Sequence, residues 1–149
     1  MDLGALIPPE RVLLGLRAAD KAAVLAALAA RAAAALGLPP APVLEALAAR
    51  ERLGSTGLGR GFALPHARLP GISGFFGLFA RLARPVAFEA MDGEPVDLLV
   101  LLLIPAAAAG EDHVAALAAV ARRMREAAVP ARLRAAPDAA SVVALLAGG

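Results

Sequence analysis

The run Leu98-Leu99-Val100-Leu101-Leu102-Leu103 constrains the fold of this 149-residue chain more than any other feature. Neighbouring side chains of a strand point to opposite faces of a sheet, so a strand that is apolar at every position must be covered on both faces. We therefore predict a central strand from Val96 to Ile104, ended by Pro105, with helices packed against both sides.

Helical patterns before and after this strand supply the covering layers. Asp20 is a typical N-cap, apolar residues follow at helical spacing as far as Leu36, and Gly37 predicts the end of that helix. Further helices are predicted from about 42 to 53, from 111 onward, and over 141–146.

Several short segments have the composition of strands. They are 11–16, 62–64, 75–82 and 86–88, in addition to the central strand. The order is two helices, then strands, then two helices, with no repeat and no linker. This order predicts one α/β domain over 1–149, with a mixed sheet of about five strands sandwiched by helices.

Composition excludes several classes of protein. The chain has no cysteine, so it forms neither a disulfide framework nor a thiolate metal site. Its 15 Lys+Arg and 13 Asp+Glu give a net charge of +2 and are scattered, so no nucleic-acid partner is expected. Every uncharged run is interrupted before the roughly 18–20 residues that span a membrane, and the first residues are unlike a secretory signal. We therefore expect a cytoplasmic protein with no membrane insertion.

The segment Gly54-Ser55-Thr56-Gly57-Leu58-Gly59-Arg60-Gly61 is too rich in glycine to continue a helix. It lacks the Gly-Lys-Ser/Thr of a Walker loop, and a dinucleotide fingerprint requires a strand before the glycines, whereas here a helix precedes them. Two alternatives remain: a flexible connection, or an anion-binding loop in which amides and the hydroxyls of Ser55 and Thr56 hold a phosphate.

The chain has 2 histidines, and each lies at a position suited to chemistry. His66 follows Pro65, which places it at a strand end or edge, where an unprotonated imidazole is an accessible nucleophile. Arg68, two residues on, is placed to neutralise an incoming anion. The alternative is that His66 is an ordinary surface histidine.

His113 is predicted in the first turn of the helix that follows the central strand, where helix amides favour anions and a neutral imidazole. Glu111 and Asp112 beside it act in the opposite direction, and a solvated residue at a helix start is the alternative. Arg50 continues the apolar line of the second helix, which predicts that it points inward over the glycine-rich loop. An arginine that only complements the helix dipole is the alternative there. Two isolated histidines without cysteine make a poor metal site.

Residues 50–66, Arg-Glu-Arg-Leu-Gly-Ser-Thr-Gly-Leu-Gly-Arg-Gly-Phe-Ala-Leu-Pro-His, resemble the active-site signature of one family. The family is that of the fructose/mannitol/nitrogen-type enzyme IIA domains of the phosphoenolpyruvate-dependent phosphotransferase system (PTS). Pro95-Val96-Asp97-Leu98-Leu99 and Glu111-Asp112-His113 also fall where that family has its apolar strand and second histidine. The similarity extends over nearly the whole chain and is greatest to the stand-alone nitrogen-regulatory members.

This resemblance implies that residues 1–149 form one EIIA type-2 domain, a phosphotransferase component with a mixed sheet between helices. It implies that His66 takes a phosphoryl group on Nε2 from an HPr- or NPr-like phosphocarrier, that His113 stabilises this group, and that Arg50 lies near it. Regulatory target proteins are expected as further partners, and a homodimer stays open. No cofactor and no metal are implied.

The sequence departs from the family pattern at two places. Arg60 stands where the family often has Asn or Gly, and Ala67-Arg68 follows His66 where Gly and a variable residue are common. Both departures add charge near the expected site, which favours a change in partner preference.

Two further functions remain open at this point. One is a sugar-specific fructose- or mannitol-type IIA that passes the phosphoryl group to a IIB domain. The other is a regulatory binding module of the same fold that is not phosphorylated. The presence of His66, His113 and Arg50 together favours the phosphorylated forms.

Overall fold

The apolar run at 98–103 forms the centre of the sheet, as its composition predicts. In the computed structural model, which describes residues 1–148, it lies within a strand that runs from Val96 to Pro105. The helices are α1 (Leu3–Leu6), α2 (Lys21–Leu36), α3 (Pro40–Arg52), α4 (Gly110–Arg125), α5 (Val129–Ala135) and α6 (Ala139–Ala147), and a 3-10 turn covers Pro9–Arg11. The strands are β1 (Val12–Leu16), β2 (Gly57–Gly59), β3 (Phe62–Ala63), β4 (His66–Leu69), β5 (Phe76–Val86) and β6 (Val96–Pro105).

The six strands form one mixed sheet in the order β1-β5-β6-β3-β2, with β4 also paired to β6. Strand β6 runs antiparallel to β5 and parallel to β3 and β4. Both β3 and β4 lie along the same edge of β6, because Phe62 is opposite Leu98 and His66 is opposite Leu102. This pairing fixes His66 beside the C-terminal half of β6.

The sheet separates two hydrophobic cores. Leu99, Leu101 and Leu103 of β6 face the core formed with α2 and α3. Leu98, Val100, Leu102 and Ile104 face the core formed with α1, α4, α5 and α6. The alternation confirms the prediction of a central strand covered on both faces.

The helix predictions are confirmed with small shifts of boundary. The side chain of Asp20 accepts a hydrogen bond of 2.8 Å from the amide of Ala23, and Gly37 closes α2 with a left-handed φ of 69°. Helix α3 begins at Pro40, slightly earlier than predicted. The short helices α1 and α5 were not predicted. No helix within residues 1–148 is both long enough and apolar enough to cross a membrane.

The strand predictions need three corrections. Most of the predicted strand 75–82 lies in β5, which extends to Val86 with an irregular register between Arg81 and Val86. Of the strand predicted over 86–88, only Val86 belongs to β5, and residues 87 and 88 lie outside any strand. Strand β2 was predicted as loop, because two of its three residues are glycine. Strand β4 was not predicted; His66, expected at a strand end or edge, is its first residue, and β4 pairs with β6 alone.

Candidate active site

Three elements bring Arg50, His66 and His113 together. Helix α3 carries Arg50 near its C-terminal end, β4 carries His66 as its first residue, and α4 carries His113 in its first turn. Helices α3 and α4 lie on opposite faces of the sheet. The cluster therefore spans the edge of the sheet, with one residue from each layer and one from the sheet itself.

The backbone of Leu64 fixes the proton of the His66 ring. Nδ1 of His66 lies 2.8 Å from the carbonyl oxygen of Leu64. A carbonyl oxygen only accepts hydrogen bonds, so Nδ1 carries the proton and Nε2 carries the free electron pair. Pro65, between the two residues, restricts Leu64 to extended conformations and so keeps its carbonyl in reach. The structure thus presents Nε2 as the nucleophilic nitrogen.

Arg50 lies directly beside that nitrogen. Its Nε donates to Nε2 of His66 at 3.3 Å, and its Nη1 donates to the carbonyl oxygen of Gly54 at 2.8 Å. The second bond holds the guanidinium over the glycine-rich loop, as the helical spacing of Arg50 predicts. The bond to Nε2 is long, so the guanidinium can exchange it for a stronger bond to an anion.

His113 completes the cluster from the other side. The centroids of the His66 and His113 rings are 6.0 Å apart and the ring planes are nearly perpendicular, at 83°. This separation leaves room for a group bound to one ring to be contacted by the other. Arg68 fixes the segment that leads into α4, because its Nη1 donates to the carbonyl oxygens of Ala106 and Ala108 at 3.0 and 2.9 Å. This segment positions the first turn of α4, which carries His113.

Both histidines have a pKa below the ordinary value of the side chain. Burial lowers the pKa of His66 below its ordinary value, and the cation of Arg50 acts in the same direction, as does His113 when it is protonated. The hydrogen bond to Leu64 and the carboxylate of Glu51 act to raise this pKa. Burial also lowers the pKa of His113, with the nearby cation of Arg68 acting in the same direction. A neutral His66 keeps its electron pair available at physiological pH.

Ser55 and Thr56, predicted as phosphate ligands, use their hydroxyl groups inside the protein. Ser55 donates to the carbonyl oxygen of Phe88 at 2.6 Å, and Thr56 donates to Oε2 of Glu51 at 2.6 Å. Each hydroxyl has one proton, so in this conformation neither donates toward the histidines. Both residues nevertheless line the cleft around His66.

Glu51 and Lys21 are structural contributors to the site that the sequence patterns missed. Glu51 and Thr56 are the two buried polar or charged residues within 1–148, and Oε1 of Glu51 accepts from the Thr56 amide at 2.9 Å. Lys21 lies 2.8 Å from the same oxygen. These bonds attach the loop after α3 to the start of α2. Lys21 is the single lysine in a chain whose other basic residues are arginines, and that was the available signal.

The cleft around His66 is open and largely apolar. It has a volume of about 340 Å³, and its lining residues are Arg50, Ser55, Thr56, Leu58, Leu64, His66, Val114, Leu117, Ala118 and Ala121. Leu58 and Val114 are 54% and 66% exposed, which is unusual for large apolar side chains. Such a rim around a reactive nitrogen is typical of a surface that binds another protein. Within residues 1–148, no three side chains of the kinds that bind metals converge.

An open imidazole nitrogen between a guanidinium and a second imidazole is suited to the transfer of an anionic group. The model of the phosphoenolpyruvate-dependent sugar phosphotransferase system EIIA 2 family matches residues 5–148. The chain therefore belongs to that family and is a phosphotransferase component.

Individual relatives agree with this assignment. The nitrogen regulatory protein of Bradyrhizobium diazoefficiens is 46% identical over 147 residues, which cover 99% of this chain and 95% of that protein. The crystal structure of nitrogen regulatory protein IIA-Ntr from Neisseria meningitidis superimposes with a TM-score of 0.91 at 34% identity, covering 97% of this chain and 98% of that one. The crystal structure of IIA mannitol from Escherichia coli shares the fold, with a TM-score of 0.75, 22% identity, and 93% and 96% of the two chains covered.

Proposed function

We propose that this chain is a nitrogen-regulatory phosphoryl carrier of the phosphotransferase system, which accepts a phosphoryl group on Nε2 of His66 from an HPr-like phosphocarrier in the cytoplasm. The observation that carries the proposal is the hydrogen bond between Nδ1 of His66 and Leu64, which leaves Nε2 unprotonated at the open end of the site. The similarity to nitrogen regulatory proteins over almost the full chain supports the regulatory type.

The transfer requires little covalent work from the protein. The phosphorus–nitrogen bond of the donor phosphohistidine breaks as Nε2 of His66 attacks the phosphorus, and the donor imidazole recovers its electron pair. The His66 ring then carries a positive charge, which its Nδ1–H shares with the Leu64 carbonyl oxygen. Held in this orientation, the ring needs no rearrangement before the attack.

Arg50 and His113 stabilise the phosphoryl oxygens during transfer. Arg50 exchanges its bond to Nε2 for a bond to a phosphoryl oxygen, and His113 donates from the opposite side. Arg68 acts on His113 through the backbone before α4. Ser55 and Thr56 act through the shape of the loop, because their hydroxyls are bound internally.

Phosphorylation by a defined donor tests this proposal. The chain is incubated with phosphoenolpyruvate, enzyme I and an HPr-type carrier, and its intact mass is followed. We expect the gain of one acid-labile phosphoryl group in the wild type and none in His66→Ala. A His66→Ala protein that still gains the group would refute the assignment of His66.

The variant His113→Ala tests whether His113 stabilises the phosphoryl group that His66 accepts. We expect this variant to be labelled at the same residue but about 100-fold more slowly, because one donor to the transferring oxygens is lost. A normal rate would exclude His113 from the transfer.

The phosphorylated wild type, mixed with a sugar-specific IIB domain, distinguishes the regulatory from the transport function. We expect no onward transfer for the nitrogen-regulatory type. Rapid transfer to IIB would support the sugar-specific alternative instead.

A further inference from the structure

The cleft around His66 continues into a second, smaller cleft of about 160 Å³. The second cleft is lined by Leu58, Gly59, Arg60, Phe62, Ala121, Met124, Arg125 and Pro130, and the two clefts share Leu58 and Ala121. We call the combined depression, from His66 along α4 to Pro130, the α4 groove. It begins at the reactive nitrogen and ends between two exposed arginines, Arg60 and Arg125.

Helix α4 gives the groove an apolar floor. Val114, Leu117, Ala118 and Ala121 recur at helical spacing and line it, while Ala116 and Val120 on the other face are buried in the core. The lining face is exposed or half-buried, so helix α4 has an apolar face that the fold itself does not cover. With its rise of about 1.5 Å per residue, the helix spans about 16 Å from Val114 to Arg125.

Within residues 1–148, neither Arg60 nor Arg125 forms an ion pair. The ion pairs found within residues 1–148 are Lys21–Glu51, Lys21–Glu89, Arg123–Glu126 and Arg134–Asp97. Asp92 is close to Arg60, but its carboxylate accepts from the Arg60 amide, at 2.8 Å, and from the Glu94 amide. Asp97 and Glu126 are paired with Arg134 and Arg123, and Glu94, which lines a cleft with Arg60, forms no ion pair with it.

The backbone conformation of Arg60 gives a second, independent reason to expect a function for its side chain. Its φ is 55°, in the left-handed region that non-glycine residues avoid, and glycines occupy both neighbouring positions. The turn uses only the Arg60 backbone, whose amide donates to Asp92 and whose carbonyl oxygen accepts from Arg134 at 2.7 Å. An arginine side chain thus stands at a position that Gly or Asn would fit with less strain, which points to a use for its charge.

We propose that the α4 groove binds the phosphocarrier that donates to His66, and that this carrier places acidic side chains against Arg60 and Arg125. The inference rests on the proposed function, since it extends the same site toward its partner. A surface with an apolar centre and a charged end is suited to transient protein binding, in which the charges select the partner and accelerate encounter. The carrier is thus expected to have carboxylates on the part of its surface that meets the far end of the α4 groove, away from its phosphohistidine.

The test measures the dissociation constant for an unphosphorylated HPr-type carrier with exposed carboxylates, by calorimetry at several salt concentrations. The double variant Arg60→Glu/Arg125→Glu is expected to bind at least about tenfold more weakly, with a reduced salt dependence. The matched control is Arg17→Glu/Arg84→Glu, which makes the same change of charge at exposed arginines of another cleft, at the β1–β5 side of the sheet. Equal affinities of the two double variants would overturn the proposal.

Arg60→Asn separates docking from folding. Because asparagine tolerates a positive φ better than arginine, this variant is expected to raise the urea midpoint of unfolding while it weakens carrier binding. Unchanged binding in Arg60→Asn would exclude a role for the arginine charge. The binding measurement does not depend on phosphoryl transfer. If carrier binding depends on the two arginines but His66 is not labelled, only the proposed function is refuted. If His66 is labelled but carrier binding does not depend on the arginines, only this inference is refuted.

Discussion

Glu51 is the most deeply buried charged residue near the site, and its partners account for that burial. Its side chain is 6% exposed, and it accepts from the amide and hydroxyl of Thr56 while it pairs with Lys21. A buried carboxylate is tolerated because each oxygen has a donor. The same bonds hold the loop that receives the Nη1 bond of Arg50. The order of the loop thus depends on a residue that does not contact Nε2 of His66.

Glu51→Gln is expected to destabilise the fold by about 3 kcal/mol. Lys21 loses its buried anionic partner, and one of the two hydrogen bonds donated by Thr56 is lost because the NH2 group of glutamine cannot accept it. Urea unfolding measures this change. The matched control is Glu89→Gln, which removes the 82% exposed partner of Lys21 and should lower stability by less than about 1 kcal/mol. Equal urea midpoints for the two variants would contradict the structural role of Glu51.

The lowered pKa of His66 predicts a pH dependence of both reaction and stability. The neutral ring predominates down to a pH below its ordinary pKa of about 6.5, so the rate of acceptance should decline only in more acidic solution. Because folding lowers this pKa, the stability contribution is complete above about pH 6.5 and is lost as the pH falls through the folded pKa. NMR titration of the His66 ring measures that pKa directly.

Arg50→Gln tests the electrostatic part of that shift. Removal of the cation beside Nε2 should raise the pKa of His66 toward its ordinary value, although burial, the larger cause, remains. The control is the variant Arg52→Gln, which removes an exposed arginine two residues further along the chain and is titrated in the same way. An identical pKa in Arg50→Gln and Arg52→Gln would show that the guanidinium has no influence on the ring.

At the scale of the elements, the sequence predicts most where a pattern is both long and locally determined. Helix α2 has a capping residue, a regular apolar face and a closing glycine, and β6 has a continuous apolar run, so both were predicted closely. Strand β2 exists because it pairs with β3, and nothing in Gly57-Leu58-Gly59 indicates this tertiary contact. The same distinction applies to the site. His66, His113 and Arg50 stood out by residue type and spacing, whereas the bond to Leu64 and the pairing of Lys21 with Glu51 depend on contacts between distant segments.

Gly57→Ala tests how closely β2 is packed. A Cβ at this position would lie 2.8 Å from Cβ of Ala90 and 3.1 Å from its Cα, so the strand must move away from that segment. We expect a loss of about 1–3 kcal/mol in urea unfolding, with displacement of the adjoining loop. Gly74→Ala, where no atom lies within 4 Å and φ is not positive, should change stability little. A neutral Gly57→Ala would indicate that β2 adapts without cost.

At the scale of the whole molecule, the site is formed by parts that depend on one sheet. Arg50 is carried by the layer of α2 and α3, and His113 by the layer of α1, α4, α5 and α6. Side chains of strand β6 point alternately into the two cores. If one layer of helices unfolds, half of the β6 side chains are exposed and the sheet that supports the other layer is destabilised. The geometry around His66 is therefore a property of the entire fold rather than of a local motif.

This dependence predicts a single cooperative unfolding transition, the behaviour of one domain over 1–149. Leu47→Ala removes a buried side chain from the core beneath α3 and should cost about 2–5 kcal/mol, and Val120→Ala removes a smaller one from the core beneath α4 and should cost less. In both variants the native NMR signals of His66 and His113 should disappear together, at one shifted urea concentration. If the His113 signals of Val120→Ala disappeared at a lower urea concentration than those of His66, the α4 layer would be a separate unit, and the site around His66 would be formed by two parts that unfold independently.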